Sequence, residues 1–285
     1  MGTTKSGMTT RRKLAIASWR SPREGNIYGK LSLDCTQANA YIEWLRQTTG
    51  ERATLTTLVG VATGRALRQE PSLNGRIAMG RYKPYDTVDV SFLVQIDGGK
   101  DLAQVKVHDI DTKSVVEVTK ELSERATRLR DGKDDAFEKS KGLIKILPTW
   151  ILRHMLAFTG FLTTSLGLPA FGQKPYPFGA AIITSVGMLG VDEGFAPPTP
   201  FARVPLYVLV TTVRDQPVAI DGKVVVRPIV VITATLDHRF VDGFQAATVS
   251  NAFRDIFANP WQLSGLDGPP AIARRPKARP GKMTA

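Results

Sequence analysis

The sequence predicts a single α/β domain with a mixed β-sheet flanked by helices, and three observations predict it. Stretches in which apolar residues recur at every second position alternate with stretches of helical spacing. Short turns join some strands into hairpins, so part of the sheet is antiparallel. The run Val-Val-Val-Arg-Pro-Ile-Val-Val-Ile-Thr-Ala-Thr over residues 224–235 is almost continuously apolar, as expected of a strand buried on both faces.

Taken in order, residues 27–34 read as a strand with Ile27, Leu31 and Leu33 as its apolar positions. A helix follows over about 36–50, with Thr36 as its cap and Gly50 as its stop. A second helix begins near Thr54, carries Leu55, Leu58, Val59, Ala62 and Ala66 at helical spacing, and ends before Pro71. Val88, Val90, Phe92, Val94 and Ile96 mark one face of a strand, and Asp97-Gly98-Gly99-Lys100 reads as the hairpin turn into a strand over 102–107. Residues 112–130 form an amphipathic helix that Gly132 ends. Two strands, 206–212 and 224–235, flank the loop Asp221-Gly222-Lys223. A last helix over 243–257 packs behind them and stops at Asn259-Pro260. No repeat at a fixed period is visible.

A chain of 285 residues with 42% hydrophobic and 22% charged content can bury a sizeable core. Its single cysteine, Cys35, excludes an internal disulfide and a multi-cysteine metal site, and reads as a half-buried strand residue. No metal is expected. The opening Met-Gly-Thr-Thr-Lys-Ser lacks the apolar run of a secretory signal, which makes the cytoplasm the default location. A net charge of +12 favours anionic partners. Part of that excess lies in Arg274, Arg275, Lys277, Arg279 and Lys282, mixed with prolines, so residues 268–285 read as a disordered basic tail. Residues 1–10 read as an N-terminal arm and 11–267 as the domain.

The three histidines differ in their surroundings. His108 stands beside Asp109 and Asp111 as a solvated turn histidine, and His154, beside Arg153 in an apolar segment, reads as structural. His238 ends the long apolar strand and feeds a turn, the kind of place where a polar side chain can be aimed into a cleft.

The segment Asp237-His238-Arg239-Phe240-Val241-Asp242-Gly243 resembles the active-site signature of the acyltransferase cores of 2-oxoacid dehydrogenase complexes, which share the fold and mechanism of chloramphenicol acetyltransferase. Other stretches match in the same order. Arg11-Arg12-Lys13-Leu14-Ala15-Ile16-Ala17 is similar to the family's opening helix and Pro71-Ser72-Leu73-Asn74 to its Pro-Glu-Leu-Asn loop. Gly187-Met188-Leu189-Gly190-Val191-Asp192-Glu193 is similar to its glycine loop, and Gly222-Lys223-Val224-Val225-Val226-Arg227-Pro228 to the next strand. Several ordered matches are far more specific than one.

The resemblance implies a chloramphenicol acetyltransferase-like fold and acyl transfer between coenzyme A, as acyl-CoA, and a second thiol on dihydrolipoamide or another carrier. It also implies a homotrimer or a multiple of three, with active sites between subunits. His238 is then the general base, since a neutral imidazole suits deprotonation of a thiol near neutral pH. Attack on the thioester puts negative charge on the carbonyl oxygen and calls for a positioned donor. The family's serine falls at Thr184, Ser185 takes the place of its usual asparagine, and either hydroxyl can donate. Asp242 resembles the family's structural carboxylate and is expected to support the turn, not to move a proton.

Two departures qualify these expectations. The full-length complex subunits carry a lipoyl domain and a partner-binding domain ahead of the catalytic region, and this chain has no room for them, so the carrier is expected on another molecule. Residues 138–178 form an insertion in which Leu143, Leu147, Ile151, Met155, Phe158 and Leu162 lie near helical spacing, with Lys141, Lys145 and Arg153 on another face and Pro148 at a start or kink. Its uncharged stretch 155–171 falls short of the about 20 residues needed for a membrane span. The insertion reads as a core or subunit-interface element, an interfacial membrane helix that would make the protein peripheral to a membrane, or a lid for a long acyl chain. A non-catalytic assembly paralogue is the rival function, favoured by threonine at 184 and opposed by the intact His238 and Asp242. Nucleic acid is disfavoured as a partner, because the basic excess sits partly in the tail and no nucleic-acid module is recognisable.

Overall fold

The computed structural model describes residues 25–96, 101–130 and 147–270. The opening stretch 11–17, the turn 97–100, Gly132, the beginning of the insertion and the tail from 271 lie outside the described residues.

Strand β1 (Asn26–Asp34) runs into helix α1 (Thr36–Thr49). Cys35, not Thr36, holds the cap position. The Asp34 carboxylate accepts from both the backbone nitrogen and the hydroxyl of Thr36, at 2.8 and 2.5 Å, which sets Thr36 inside the first turn. Cys35 is fully buried at this junction, not half-buried in a strand, and burial pushes its thiol up to about 12. Gly50 ends α1 at φ 75°, where a side chain would be strained. Helix α2 (Leu55–Gln69) opens on Thr54, which exchanges hydrogen bonds with Thr57 in a reciprocal cap. Gly60 of α2 lies so close to the sheet that an added Cβ would come within 2.3 Å of the Phe92 ring.

A small hairpin follows that the hydrophobic pattern did not reveal: β2 (Gly75–Ala78) and β3 (Arg81–Pro84). Its two turn residues, Met79 and Gly80, both have positive φ, the conformation that suits a two-residue hairpin loop. Strands β4 (Val90–Ile96) and β5 (Asp101–Val107) pair antiparallel, and helix α3 (Val115–Arg130) comes next. Helix α4 (Thr149–Gly160), begun by Pro148, continues into a wider turn over Phe161–Leu166. Then come β6 (Ala181–Ser185), β7 (Leu206–Val210), β8 (Arg214–Ile220), β9 (Lys223–Asp237) and α5 (Gly243–Ala258).

The main sheet has the order β1-β9-β7-β6-β4-β5, with β8 pairing the early part of β9. Pairs β4·β6 and β6·β7 are parallel and the others antiparallel, so the sheet is mixed. Two expectations are corrected here. The Asp221-Gly222-Lys223 loop joins β8 to β9, not 206–212 to 224–235. Strand β9 is buried only in its later half, because its first residues run beyond the ends of β1 and β7, leaving Val224 and Val226 78% and 67% exposed.

One face of the sheet carries the main core. Ile183, Leu206, Val208, Val230, Ile232 and Leu236 meet side chains of the helices there, and Trp261 closes one end against Tyr41 and Trp44. The opposite face is covered more thinly, by Ile182, Ala202, Val204 and Tyr207 with Leu93 and Phe178. The described part of the insertion is tied to this side. Leu152 is fully buried, Thr164 donates to the Ala202 carbonyl at 3.3 Å, and Arg203 donates to the Ser165 hydroxyl at 3.2 Å.

Candidate active site

The segment around His238 is a tight turn between β9 and α5. His238 continues the strand ladder by donating its backbone N–H to the Gly25 carbonyl at 3.1 Å, and the Phe240 N–H then returns to the Asp237 carbonyl at 3.0 Å. The Asp237 carboxylate clamps the turn from inside. It accepts from the backbone nitrogen of Arg239 at 3.0 Å and from its guanidinium at 2.9 and 2.5 Å. The side chain of His238 is exposed, with Nδ1 2.6 Å from the Val241 carbonyl oxygen. A carbonyl can only accept, so Nδ1 carries a proton, and in the neutral ring Nε2 is the nitrogen with the free lone pair.

Asp242 caps α5. Its carboxylate accepts from the Phe244 N–H at 2.9 Å, while the Gln245 side chain accepts from the Asp242 N–H at 3.0 Å. This reciprocal cap fixes where the helix starts and therefore where the turn carrying His238 ends. Asp242 is exposed and its hydrogen bonds are local. Tyr82 of β3 is a neighbour that sequence reasoning missed. Its ring meets Phe240 of the motif edge-on at 6.2 Å, and the Met79-Gly80 turn was the available signal for the hairpin that places it.

Thr184 and Ser185 stand on β6 on opposite faces of the sheet, because side chains alternate along a strand. Ala181 and Ile183 belong to the helix-side core and Ile182 to the thin side. Ser185 therefore faces the helices and Thr184 the thin side. The Ser185 hydroxyl accepts a long hydrogen bond from the Gly187 N–H at 3.5 Å, whereas no described residue hydrogen-bonds the Thr184 hydroxyl. The glycine loop crosses the thin face beside Thr184. It is held by Thr212 donating to the Gly187 carbonyl at 2.9 Å, Thr233 donating to the Gly194 carbonyl at 2.5 Å, and a Lys30–Glu193 ion pair at 2.6 Å.

The register separates these hydroxyls from His238. Thr184 pairs with Leu209 and Leu209 with Thr233, so His238 lies five residues further along β9 and two strands away. At about 3.3 Å per residue and about 4.8 Å per strand, that is roughly 16 Å along the sheet and roughly 10 Å across it. A hydroxyl and an imidazole of one chain cannot meet over that distance. His238 and Asp242 are brought together on one turn, and neither Thr184 nor Ser185 joins them within the chain.

The sequence profile of the 2-oxoacid dehydrogenases acyltransferase (catalytic domain) family matches residues 22–147 and 178–264. A similar protein is the mitochondrial dihydrolipoyllysine-residue succinyltransferase component of the 2-oxoglutarate dehydrogenase complex of Saccharomyces cerevisiae, 24% identical over 225 residues, which are 78% of this chain and 39% of that protein. The chain spans about two fifths of the length of the curated relatives it matches. Among solved structures, a probable dihydrolipoamide acetyltransferase from Listeria monocytogenes superposes with a TM-score of 0.64 at 18% identity, covering 90% of this chain and 95% of that one. Chloramphenicol acetyltransferase superposes with a TM-score of 0.50 at 13% identity, covering 87% and 94%. These likenesses identify the fold as chloramphenicol acetyltransferase-like, and the profile match over most of the sequence makes this chain a member of the 2-oxoacid dehydrogenase acyltransferase catalytic-domain family.

Proposed function

We propose that this protein moves an acyl group between coenzyme A and a second thiol, on dihydrolipoamide or another carrier. His238 is the general base and Thr184 the oxyanion donor. The observation that carries the reading is the exposed His238 ring, held by the Val241 carbonyl at Nδ1, which leaves Nε2 as the nitrogen that can act as base.

In this mechanism Nε2 of His238 takes the proton of the attacking thiol, and the thiolate adds to the thioester carbonyl. The tetrahedral oxyanion accepts a hydrogen bond from the Thr184 hydroxyl. Collapse of the intermediate expels the original thiolate, which takes the proton back from Nε2. Asp242 and Asp237 hold the turn in place and move no proton.

The separation of Thr184 from His238 supports a site built from two copies, with the base from one and the hydroxyl from its neighbour. A closed ring of three copies completes three such sites, and trimers or multiples of three are the proposed assembly. The positive field of a chain with net charge +12 suits the phosphates of coenzyme A, and the proposed compartment is the cytoplasm.

The test incubates the purified full chain with acetyl-CoA and dihydrolipoamide and follows thioester loss and S-acyl product. The expected result is stoichiometric transfer that His238→Ala abolishes. No transfer from acetyl-, succinyl- or branched-chain acyl-CoA, to either free dihydrolipoamide or a lipoylated domain, would overturn the proposal.

A further inference from the structure

The hairpin of β2 and β3 supplies no group to the proposed chemistry, yet it touches the turn that carries His238. Tyr82 pairs with Ile77, and side chains alternate along each strand, so Gly75, Ile77 and Tyr82 share one face of the hairpin. Glycine at 75 leaves that face bare. A Cβ added there would stand 2.5 Å from the Tyr82 ring, so the ring lies directly across the backbone. Its hydroxyl donates to the Pro71 carbonyl at 2.6 Å, which fixes the far end of the side chain outside the hairpin. The base of the hairpin is closed on Asn74, whose carbonyl accepts from the Tyr85 N–H at 2.9 Å and whose side chain donates to the Thr87 carbonyl at 3.2 Å. Tyr82 is therefore held at its backbone and at its hydroxyl, with the ring fixed between them.

That ring meets Phe240 at 6.2 Å between centroids and 79° between planes, an edge-on contact. Phe240 is 9% exposed and closes the turn by donating its N–H to the Asp237 carbonyl. The next residue, Val241, supplies the carbonyl that holds Nδ1 of His238. A shift of the Phe240 ring is thus passed through one peptide to the group that orients the imidazole. Tyr82 itself is 45% exposed, so its ring adds less to the core than a buried tyrosine does. We infer that Tyr82 is a positioning residue for His238: its pinned ring sets Phe240 and, through Val241, the imidazole, while Gly75 makes room for it. The inference rests on the reading of His238 as the general base.

The test uses the full chain and two readouts. Tyr82→Ala should lower kcat for transfer from acetyl-CoA to dihydrolipoamide by about tenfold or more, with KM for both substrates within about twofold, because a misplaced base weakens the transition state and not substrate binding. Tyr82→Phe keeps the ring and loses one half-exposed hydrogen bond, so it should restore kcat to within about threefold of wild type. Gly75→Ala displaces the end of a flexible side chain and no backbone, so it should fold, lower kcat in the same manner and add nothing to Tyr82→Ala. If Tyr82→Ala fails to fold, Gly75→Ala carries the comparison. Hydrogen exchange of the peptide over 237–243 reads the turn without catalysis, and should quicken in both variants while β4 exchanges as in wild type. Wild-type kcat in a folded Tyr82→Ala or Gly75→Ala enzyme would overturn the inference, as would equal losses in Tyr82→Phe and Tyr82→Ala, or a further loss in the double variant. If wild type transfers no acyl group, the general-base reading fails and exchange decides alone: quickened exchange over 237–243 keeps Tyr82 as the support of the turn, and unchanged exchange removes it.

Discussion

The Nδ1 atom of His238 lies 2.6 Å from the carbonyl oxygen of Val241, three residues further along the same turn. The ring is thus oriented by the backbone of its own motif and needs no distant carboxylate to select its tautomer. His238→Ala should lower thiol-to-thiol acyl transfer by about 10²- to 10⁴-fold, the usual loss when a general base is removed. The exposed ring adds little packing, so the melting temperature and assembly mass should stay at wild-type values. Near-normal turnover in this variant would remove His238 from the mechanism.

Thr184 and Ser185 should respond unequally to truncation. Only Thr184 faces the thin side of the sheet beside the glycine loop, and no described residue uses its hydroxyl. Thr184→Ala is expected to cost roughly 10²-fold or more in kcat, whereas Ser185→Ala should fall well short of that loss. The reverse order would move the donor to Ser185 and require the helix side of β6 to open.

Mixing two inactive variants tests whether the site is shared. If base and hydroxyl come from different copies, unfolding and refolding His238→Ala together with Thr184→Ala rebuilds some intact sites, about a quarter of them by random assortment in a closed ring. Transfer activity should return in the mixture and be absent from either variant treated alone. No recovery, with trimers present by mass photometry, would place both groups in one chain.

The parts of this fold legible in the sequence are those whose side-chain period matches their burial. Strands β1, β4 and β5 and helices α1, α2 and α5 have an apolar face against the core, so period two or helical spacing located each of them. Strand β8 carries Arg214, Asp215 and Pro217 and is largely exposed on both faces, so no apolar period marks it. Strands β2 and β3, at four residues each, are too short for a period to emerge. The turn that carries His238 was legible as the end of an apolar strand because it is local in sequence, whereas the capping role of Asp242 at α5 was not read from it. The distance from Thr184 to His238 was not legible, because it depends on the register of β6 on β7 and of β7 on β9, which no local pattern encodes.

Acid should unmask the contribution of Asp89. This buried carboxylate lies 3.0 Å from Lys106 Nζ and 2.9 Å from His108 Nδ1, and accepts from the Asp109 N–H at 3.3 Å. Burial pushes its pKa up, but the hydrogen bond and charge of Lys106, with His108 and the Asp109 N–H, outweigh burial and hold it below the ordinary 3.8. A depressed folded-state pKa contributes stability above the unfolded value and loses it as pH falls through the folded one. Asp89→Asn should therefore be about 1–3 kcal/mol less stable at neutral pH by urea unfolding, with the gap closing as pH is lowered below that range. A gap independent of pH would assign the loss to packing.

Gly160 ends α4 where the helix meets the loop before β7, and an added Cβ would stand 2.0 Å from the Phe201 carbonyl oxygen. Two effects oppose each other in Gly160→Ala. Helix propensity favours alanine by about 1 kcal/mol, since glycine loses more backbone freedom on folding. Contact with a backbone atom cannot be relieved by a rotamer change, and overpacking of this kind costs about 1–3 kcal/mol even where side chains can adjust. The clash should win, so the variant should melt below wild type, with α4 and the turn after it displaced from Ala202 and Arg203. Because β9, α5 and the His238 turn make no use of this contact, acyl transfer by the folded fraction should persist. An alanine variant as stable as wild type would mean that the insertion is not fixed to the domain at this point.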